Sequence, residues 1–277
     1  MAMLSMPFLA GISVIIGFLG SLTGLGGASI LIPLLTLLGV PVKEAIASSM
    51  VAIIATSSGS ASAYVKQRIA NVKIAMYLEM FTITGAIVGA IITTILNPVY
   101  LYFFFAAFLM LTFLRFRKSS PAAIQPINQD KFSRWLEFHG SYYDRSTGQT
   151  VEYQSRNAAL GGAGMLVAGL AAGMLGIGAG AFKVMIHENV LHMPTKVSSA
   201  TSNFIIGMTA LAGVSVYLFS GLLNVTLMAP MAIGTTIGAL IGGRFMNRIN
   251  DKWLRMLFIV IVVYLIVQML YKGIASI

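Results

Sequence analysis

The chain has 277 residues, of which 57% are apolar and only 9% are charged, whereas a soluble domain carries about 25% charged residues. This composition indicates an integral membrane protein. The absence of cysteine excludes disulfides, thiolate metal sites and cysteine nucleophiles. In a membrane protein the net charge of +10 points first to basic loops that face the cytoplasm, so we expect no nucleic acid partner.

Long charge-free stretches dominate the chain, and a spanning helix needs roughly 20 apolar residues. Glycine, proline and asparagine residues divide these stretches into eight hydrophobic segments. The segments lie near residues 4–38, 43–65, 73–96, 99–116, 158–191, 195–219, 225–247 and 252–272. The N-terminus lacks the basic region of a cleaved signal peptide, so we expect the first segment to stay in the mature protein.

One polar stretch, residues 117–156, separates two membrane portions, 1–116 and 157–277. Aromatic and β-branched residues flank a Ser-Thr-Gly turn at 146–148, a pattern that predicts a small β-hairpin on an aqueous loop. The stretch is too short for an independent enzyme domain. We interpret it as a linker or a structural cap, with a partner-docking element as the alternative.

The chain repeats itself at an offset of 152 or 153 residues, which indicates a duplication. At 152, Gly17, Gly24 and Gly26 recur as Gly169, Gly176 and Gly178. At 153, Pro41, Lys43, Ser49, Tyr64 and Asn71 recur as Pro194, Lys196, Ser202, Tyr217 and Asn224. Further along, we pair Gly85 and Gly89 with Gly234 and Gly238. The protein is therefore predicted to consist of two four-segment halves.

The basic loops indicate that the two halves have opposite orientations. In the first half the loop between segments two and three is basic, while its counterpart at 220–224 is uncharged. The loop between segments three and four shows the reverse, with the basic residues in the second half. Positive loops face the cytoplasm, so the sequence predicts inverted repeats, an architecture common among secondary transporters.

Inversion requires an odd number of crossings in each half, so one segment must break. Segments one and five are overlong and are interrupted by glycine clusters at 23–29 and 173–180. We predict a broken or re-entrant first helix in each half, with Gly24, Gly26, Gly27, Gly176 and Gly178 at the breaks. Exposed backbone N–H groups there could bind an anion. The alternative is that these glycines only allow close helix packing.

Three further groups of side chains are candidates for the site. Ser48 and Ser49 open segment two, and Thr201, Ser202 and Asn203 open segment six in the equivalent place. If they converge near the membrane midplane, they could bind the oxygens of a small anion, although such hydroxyls also bond back to their own helix. Lys183 could neutralise the anion or extend to the interface.

The remaining ionisable residues give weaker signals. Glu79 could carry a proton, but interfacial placement or a structural pair is the preferred interpretation. His187 and His192 stand five apart rather than the four of a zinc-protease motif, so we predict no metal site and place both at the interface. Converging titratable groups for catalysis are lacking, so we do not expect an enzyme.

The two glycine clusters and their flanks resemble a known family. The stretch Gly-Met-Leu-Gly-Ile-Gly-Ala-Gly-Ala-Phe-Lys-Val at 173–184, with Ser-Ala-Thr-Ser-Asn-Phe at 199–204, is similar to the second-half signature of the sulfite exporter TauE/SafE family. The first-half Gly-Leu-Gly-Gly-Ala-Ser-Ile-Leu-Ile-Pro also fits. The chain departs from the family pattern at Met185, where proline is common, and at Ala179, where glycine is common.

The resemblance implies a multi-pass permease of the cell membrane that moves sulfite, sulfonates such as sulfoacetate, or other small organic or sulfur-containing anions, mainly outward. It assigns the glycine motif, Lys183 and the Thr-Ser-Asn group to the site. We therefore predict an all-α secondary transporter with no cofactor, in contact with lipid and in the form of a possible homodimer. An anion channel, or a permease for another small organic acid, is the alternative.

Overall fold

The computed structural model describes residues 6–23, 27–118, 129–144, 147–245 and 251–275. The fold of this part is helical apart from one two-stranded sheet. Its helices are α1 (Met6–Thr23), α2 (Ala28–Leu37), α3 (Val42–Lys66), α4 (Val72–Ile95), α5 (Pro98–Lys118), α6 (Lys131–Trp135), α7 (Ala158–Leu175), α8 (Gly180–Asn189), α9 (Thr195–Phe219), α10 (Val225–Phe245) and α11 (Asp251–Ala275). The strands are β1 (His139–Asp144) and β2 (Gln149–Gln154).

Five helices in the described ranges are long and apolar enough to cross a membrane, which bears out the predicted helical membrane class. They are α3, α4, α7, α9 and α10. Leucine, isoleucine, valine and phenylalanine supply their apolar surface, and their longest members, α3 and α9, have 25 residues each. At 1.5 Å per residue such a helix is about 37 Å long, which exceeds the hydrocarbon core of a bilayer.

Each overlong segment breaks where its glycine cluster lies. The first gives α1 and α2, and the second gives α7 and α8. In the second break Gly176, Gly178 and Ala179 all have positive φ, at 63°, 68° and 49°, a backbone conformation that ends a helix. The Arg156 N–H donates to the Leu191 carbonyl over 3.2 Å. The start of α7 and the end of α8 therefore lie side by side, and this pair forms a re-entrant hairpin.

Helices from opposite halves pack directly against each other through glycine. α4 runs parallel to α7, because Thr82 lies against Gly169 and Ala86 lies against Gly173. A Cβ on Gly173 would lie only 2.1 Å from the Ala86 carbonyl oxygen, so the two backbones touch. α1 packs against α10 in the same parallel manner. At Gly173 the close-packing interpretation of the glycine cluster is therefore correct.

The glycine contacts correct one pairing made from the sequence. Gly85 lies against Leu166 and Leu170 of α7, and Gly238 lies against Val14 and Phe18 of α1. Val14 and Phe18 are the repeat counterparts of Leu166 and Leu170, since each precedes its counterpart by 152 positions. Gly85 is thus equivalent to Gly238. The sequence pairing of Gly85 with Gly234 is wrong by four residues, about one helical turn, because glycines recur every turn along α10 and the sequence alone gives no contact by which to choose among them. The same contacts pair Gly89 with Gly242, since both lie against the residues at 170 and 18.

The polar stretch contains the predicted hairpin. β1 and β2 pair antiparallel, with Tyr142 opposite Val151 and Asp144 opposite Gln149. Strand alternation places one set of side chains on one face, and Tyr142 and Tyr153 are buried there with Phe138. This buried aromatic face is the reason why so short a sheet is stable.

The hairpin is fastened to the ends of the membrane helices and is not a free linker. Lys196, in the first turn of α9, forms a buried ion pair with Asp144 over 2.7 Å. Asn71, which caps α4, donates from its Nδ2 to the Tyr153 hydroxyl over 2.9 Å. Of the interpretations drawn from the sequence, these contacts favour the structural cap.

Candidate functional site

Two neighbouring serines near the start of α3 are buried without hydrogen-bond partners. The Oγ atoms of Ser48 and Ser49 have no partner among the residues that the structure describes, and both residues are fully buried. An unsatisfied buried hydroxyl costs about 1–3 kcal/mol. Other hydroxyls of α3, such as that of Thr56, bond back to their own helix over 2.8 Å. Ser48 and Ser49 therefore keep their hydrogen-bonding capacity available for a ligand.

The equivalent polar group near the start of α9 is mostly engaged. Thr201 Oγ1 accepts from the Asn71 N–H over 3.1 Å, which ties α9 to the loop before α4. Ser202 Oγ donates to the Gly180 carbonyl over 3.3 Å. The Nδ2 of Asn203 donates to the Ser199 carbonyl over 3.0 Å. Asn203 Oδ1, however, has no partner within the described residues.

The two polar groups do not converge on one point, contrary to the sequence expectation. α3 and α9 run antiparallel, with Ser57 against Asn203 and Tyr64 in one cluster with Ala200. Equivalent positions of the two helices therefore lie toward opposite ends of their interface. The reason is geometric, since equivalent residues of an antiparallel pair meet only at the crossing point.

The break between α7 and α8 lies between the two polar groups. A Cβ on Gly176 would lie 2.7 Å from Ile46, two residues before Ser48. At its other end the break reaches Ser202 through the Gly180 carbonyl. In the first half Gly27 also has a positive φ, 74°. The predicted site residues Gly24 and Gly26 lie outside the described residues.

Lys183 is fully buried in the first turns of α8, so the alternative that it extends to the interface is wrong. Its Nζ donates to Thr209 Oγ1 over 2.7 Å. The same hydroxyl oxygen lies 3.1 Å from Oε1 of Glu79, which is only 2% exposed. Gly178 in the break lies against Ile206, one turn before Thr209 on α9, so the ammonium group lies about one turn of α9 from the break.

The two histidines occupy different environments. His187 is fully buried, with its Nδ1 3.2 Å from the Ser198 carbonyl oxygen of α9. It lies on α8, which continues to Asn189, and faces the first turn of α9, so its place at the membrane interface stays a prediction. His192 lies in the following turn, where its ring contacts the Arg156 guanidinium. Within the described part of the chain, no group of histidine and acidic residues could hold a metal ion.

Sequence reasoning missed Thr209 as a member of the site. Glu79, Lys183 and Thr209 lie on α4, α8 and α9, respectively. In sequence, Lys183 is 104 positions after Glu79 and 26 positions before Thr209, so no local motif joins the three residues. One signal was present. Glu79 is the single charged residue in the apolar stretch from 74 to 114, and an intramembrane charge marks a functional site by default.

Re-entrant broken helices, buried polar side chains beside the break and several apolar helices define the class of multi-pass membrane transporters. The chain belongs to the family described as sulfite exporter TauE/SafE, whose model matches residues 9–269. It is a membrane transporter and not an enzyme.

Two relatives from Bacillus subtilis (strain 168) are described as probable membrane transporters. The chain is 27% identical to the probable membrane transporter protein YunE over 281 residues, which cover 99% of this chain and all of the relative. It is 26% identical to the probable membrane transporter protein YdhB over 250 residues, or 89% of this chain and 90% of the relative. No solved structure gives a significant match.

Proposed function

We propose that this transporter exports a small sulfur-containing anion, such as sulfite or an organosulfonate, by alternating access. The observation that carries the proposal is the pair of buried hydroxyl groups without described partners beside a helix break, namely Ser48 Oγ and Ser49 Oγ. Oxygens of an anion are suitable acceptors for the serine hydroxyls and for backbone N–H groups at the break.

Inverted repeats supply the mechanism in this proposal. Tyr64 donates its hydroxyl to the Ser21 carbonyl, and its counterpart Tyr217 donates to the Gly173 carbonyl. Ser21 and Gly173 are themselves 152 positions apart, so the two contacts are equivalent. Such twofold equivalence supports exchange between two states in which one repeat moves against the other.

The orientation follows from the basic loops. Lys66, Arg68 and Lys73 flank the α3–α4 connection, and the hairpin docks on that same end through Asn71. Since positive loops face the cytoplasm, we place the hairpin and the α3–α4 connection inside the cell. The homodimer suggested by the family resemblance stays a prediction.

A channel or a permease for another small organic acid is the second candidate. The carboxylate of an organic acid offers oxygens of the same kind as a sulfonate, and the serine hydroxyls would serve both. A carrier differs from a channel in that its flux saturates with concentration and that external substrate accelerates the exit of internal substrate.

The test is counterflow in liposomes that contain the purified protein. Labelled sulfite, sulfoacetate and taurine are each offered to vesicles loaded with the same unlabelled compound. We expect saturable exchange of at least one anion, and Ser49→Ala is expected to lower its apparent affinity by about 10- to 100-fold, since a hydrogen bond to a charged group contributes about 1.5–3 kcal/mol.

Ser58→Ala is the matched control on the same helix. Its hydroxyl is exposed and bonds to the Ile54 carbonyl over 2.7 Å, so transport should stay at the wild-type level. Equal transport by the Ser49 and Ser58 variants would refute the proposed site. Flux that rises linearly with concentration would replace the carrier with a channel, and exchange of none of the three compounds would refute the proposed substrate class.

A further inference from the structure

The linked buried groups Glu79 of the first half and Thr209 and Lys183 of the second half have no complete counterpart at the repeat-related positions. Lys183 Nζ lies 2.7 Å and Glu79 Oε1 lies 3.1 Å from the same Thr209 hydroxyl oxygen. The repeat counterparts of Glu79, Thr209 and Lys183 are Ala232, Thr56 and Leu31. The hydroxyl is thus present at both repeat-related positions, whereas each charge is replaced by an apolar residue, so packing of the repeat does not itself require the charges.

No other titratable group approaches Glu79 in the described structure as closely as Lys183 does. Among the helices packed against α4, α7 carries no titratable side chain. The titratable side chains of α3 and α9 lie near the ends of those helices. α4 itself carries two further titratable side chains before Glu79. These groups are Lys43, Glu44, Tyr64 and Lys66 on α3, Lys196 and Tyr217 on α9, and Lys73 and Tyr77 on α4. α8 adds His187 and Glu188, which follow Lys183 by about one turn and are both buried.

Charge balance makes this pair sensitive to a bound anion. With Glu79 ionised and Lys183 protonated, the buried pair is neutral overall. An anion that approaches the ammonium group from the break adds one uncompensated negative charge in a region of low dielectric constant, which costs several kcal/mol. Protonation of the Glu79 carboxylate removes that excess, because Lys183 then serves the anion alone.

We propose that Glu79 carries the coupled proton of transport, so that this protein moves one proton together with each anion. This inference rests on the proposed function, since it names the driving ion of the same site. Thr209 is a positioning residue that holds the carboxyl group and the ammonium group on one hydroxyl.

The steps balance in protons and charge. On one side of the membrane an anion binds near Lys183, and the Glu79 carboxylate accepts one proton from that same side. After the repeats change orientation, the anion leaves on the other side, and the Glu79 carboxyl group releases its proton there and accepts the hydrogen bond of Thr209 again. For a monoanion the cycle is electroneutral, and it runs outward when the cytoplasmic concentration of the anion is high enough.

The test uses the same liposomes with a pH difference of one unit, alkaline inside, and with the membrane potential clamped at zero by valinomycin and potassium. Labelled sulfite and sulfoacetate are the probes, and counterflow is measured in parallel. For one proton per anion, the wild type is expected to accumulate the transported probe up to about tenfold, since a one-unit pH gradient equals about 1.4 kcal/mol. Glu79→Gln should show no accumulation, and its uptake is compared with its own counterflow rate so that a slower carrier is distinguished from an uncoupled one.

Two control variants separate coupling from folding. Glu79→Asp retains a carboxyl group and should keep at least part of the accumulation. Thr56→Val, the repeat counterpart of the bridging position, should accumulate like the wild type, whereas Thr209→Val should lose accumulation. If Glu79→Gln does not fold, the comparison of Thr209→Val with Thr56→Val decides the matter.

The outcomes separate the two proposals. Wild-type counterflow without accumulation at any pH gradient would overturn proton coupling and leave the transport function intact. Full accumulation by Glu79→Gln, or by Thr209→Val if Glu79→Gln does not fold, would overturn the assignment to Glu79. Absence of counterflow with both probes would overturn the proposed function, and the inference would fall with it.

Discussion

Substitution of Gly85 by alanine tests the packing between the halves. Gly85 lies on α4, where a Cβ atom would be 2.2 Å from the Leu166 carbonyl oxygen and 2.7 Å from the Leu170 nitrogen. Both neighbours are backbone atoms of α7, so no side-chain rotation can relieve the overlap. An ordinary contact begins near 3.4 Å, and the helices must therefore separate by about 1.2 Å at this point.

The cost follows from that separation. Overpacking of a close interface destabilises a protein by about 1–3 kcal/mol, and each kcal/mol lowers the unfolding midpoint by about 2–4 °C for a chain of this size class. Gly85→Ala should thus lower the midpoint by about 2–12 °C. Gly238→Ala should do the same, because its Cβ would lie 2.0 Å from the Val14 carbonyl oxygen.

The assay measures the fraction of detergent-solubilised protein that stays monodisperse after heating. Gly11→Ala in α1 is the matched control, because no described atom lies within 4 Å of its added Cβ. In a helix this exchange is favourable by about 0.5–1 kcal/mol, so the midpoint should stay unchanged or rise. Equal midpoints for the Gly85 and Gly11 variants would refute the direct backbone contact between α4 and α7.

Three further changes give distinct expectations. Ala179→Gly should raise the unfolding midpoint by up to about 4 °C, because a φ of 49° costs an alanine about 1–2 kcal/mol. The greater chain entropy of glycine in the unfolded state offsets part of this gain. A clear fall of the midpoint would contradict the left-handed backbone. Lys196→Met should release the hairpin, since breaking a buried ion pair such as that with Asp144 costs about 3–5 kcal/mol; limited proteolysis should then cut within 139–154, and continued resistance would argue against the docked cap. The hydrogen bond from Lys73, with its charge, lowers the pKa of the exposed Glu137 carboxyl group. The ion pair therefore stabilises the fold when the pH is above about 4.3, the ordinary pKa of a glutamate. This stabilisation is lost as the pH falls through the lowered pKa of Glu137. Between pH 5 and 3 the midpoint of the wild type should fall more steeply than that of Glu137→Gln, and parallel curves would contradict this.

Local features were predictable from the sequence because their causes are local. A left-handed backbone needs glycine or a strained substitute, and the clusters around Gly24 and Gly176 marked the breaks for that reason. The turn at 146–148 marked the hairpin, since its flanks alternate and carry aromatic residues. The charge-free stretches, divided at glycine, proline and asparagine residues, likewise predicted where the long helices lie.

Features that depend on the packing of distant helices were not predictable. Lys183 left two interpretations equally open, because whether its ammonium group is buried depends on Thr209 and Glu79, which other helices supply. The supposed convergence of Ser49 with Ser202 failed for a similar reason. Equivalent residues of two repeats need not be neighbours, and the antiparallel course of α3 and α9 is visible only in three dimensions.

The partnership between α1 and α10 also bears on how the protein is made. α1 is complete at Thr23, whereas its partner starts only at Val225. At about 5–20 residues per second, a ribosome needs roughly 10–40 seconds to synthesise the stretch between them. During that time the glycine-rich face of α1 has no partner helix and stays in contact with lipid or the insertion machinery. The pairing of α1 with α10 therefore forms only after α2 to α9 have been synthesised, and until then this face of the helix bundle stays open.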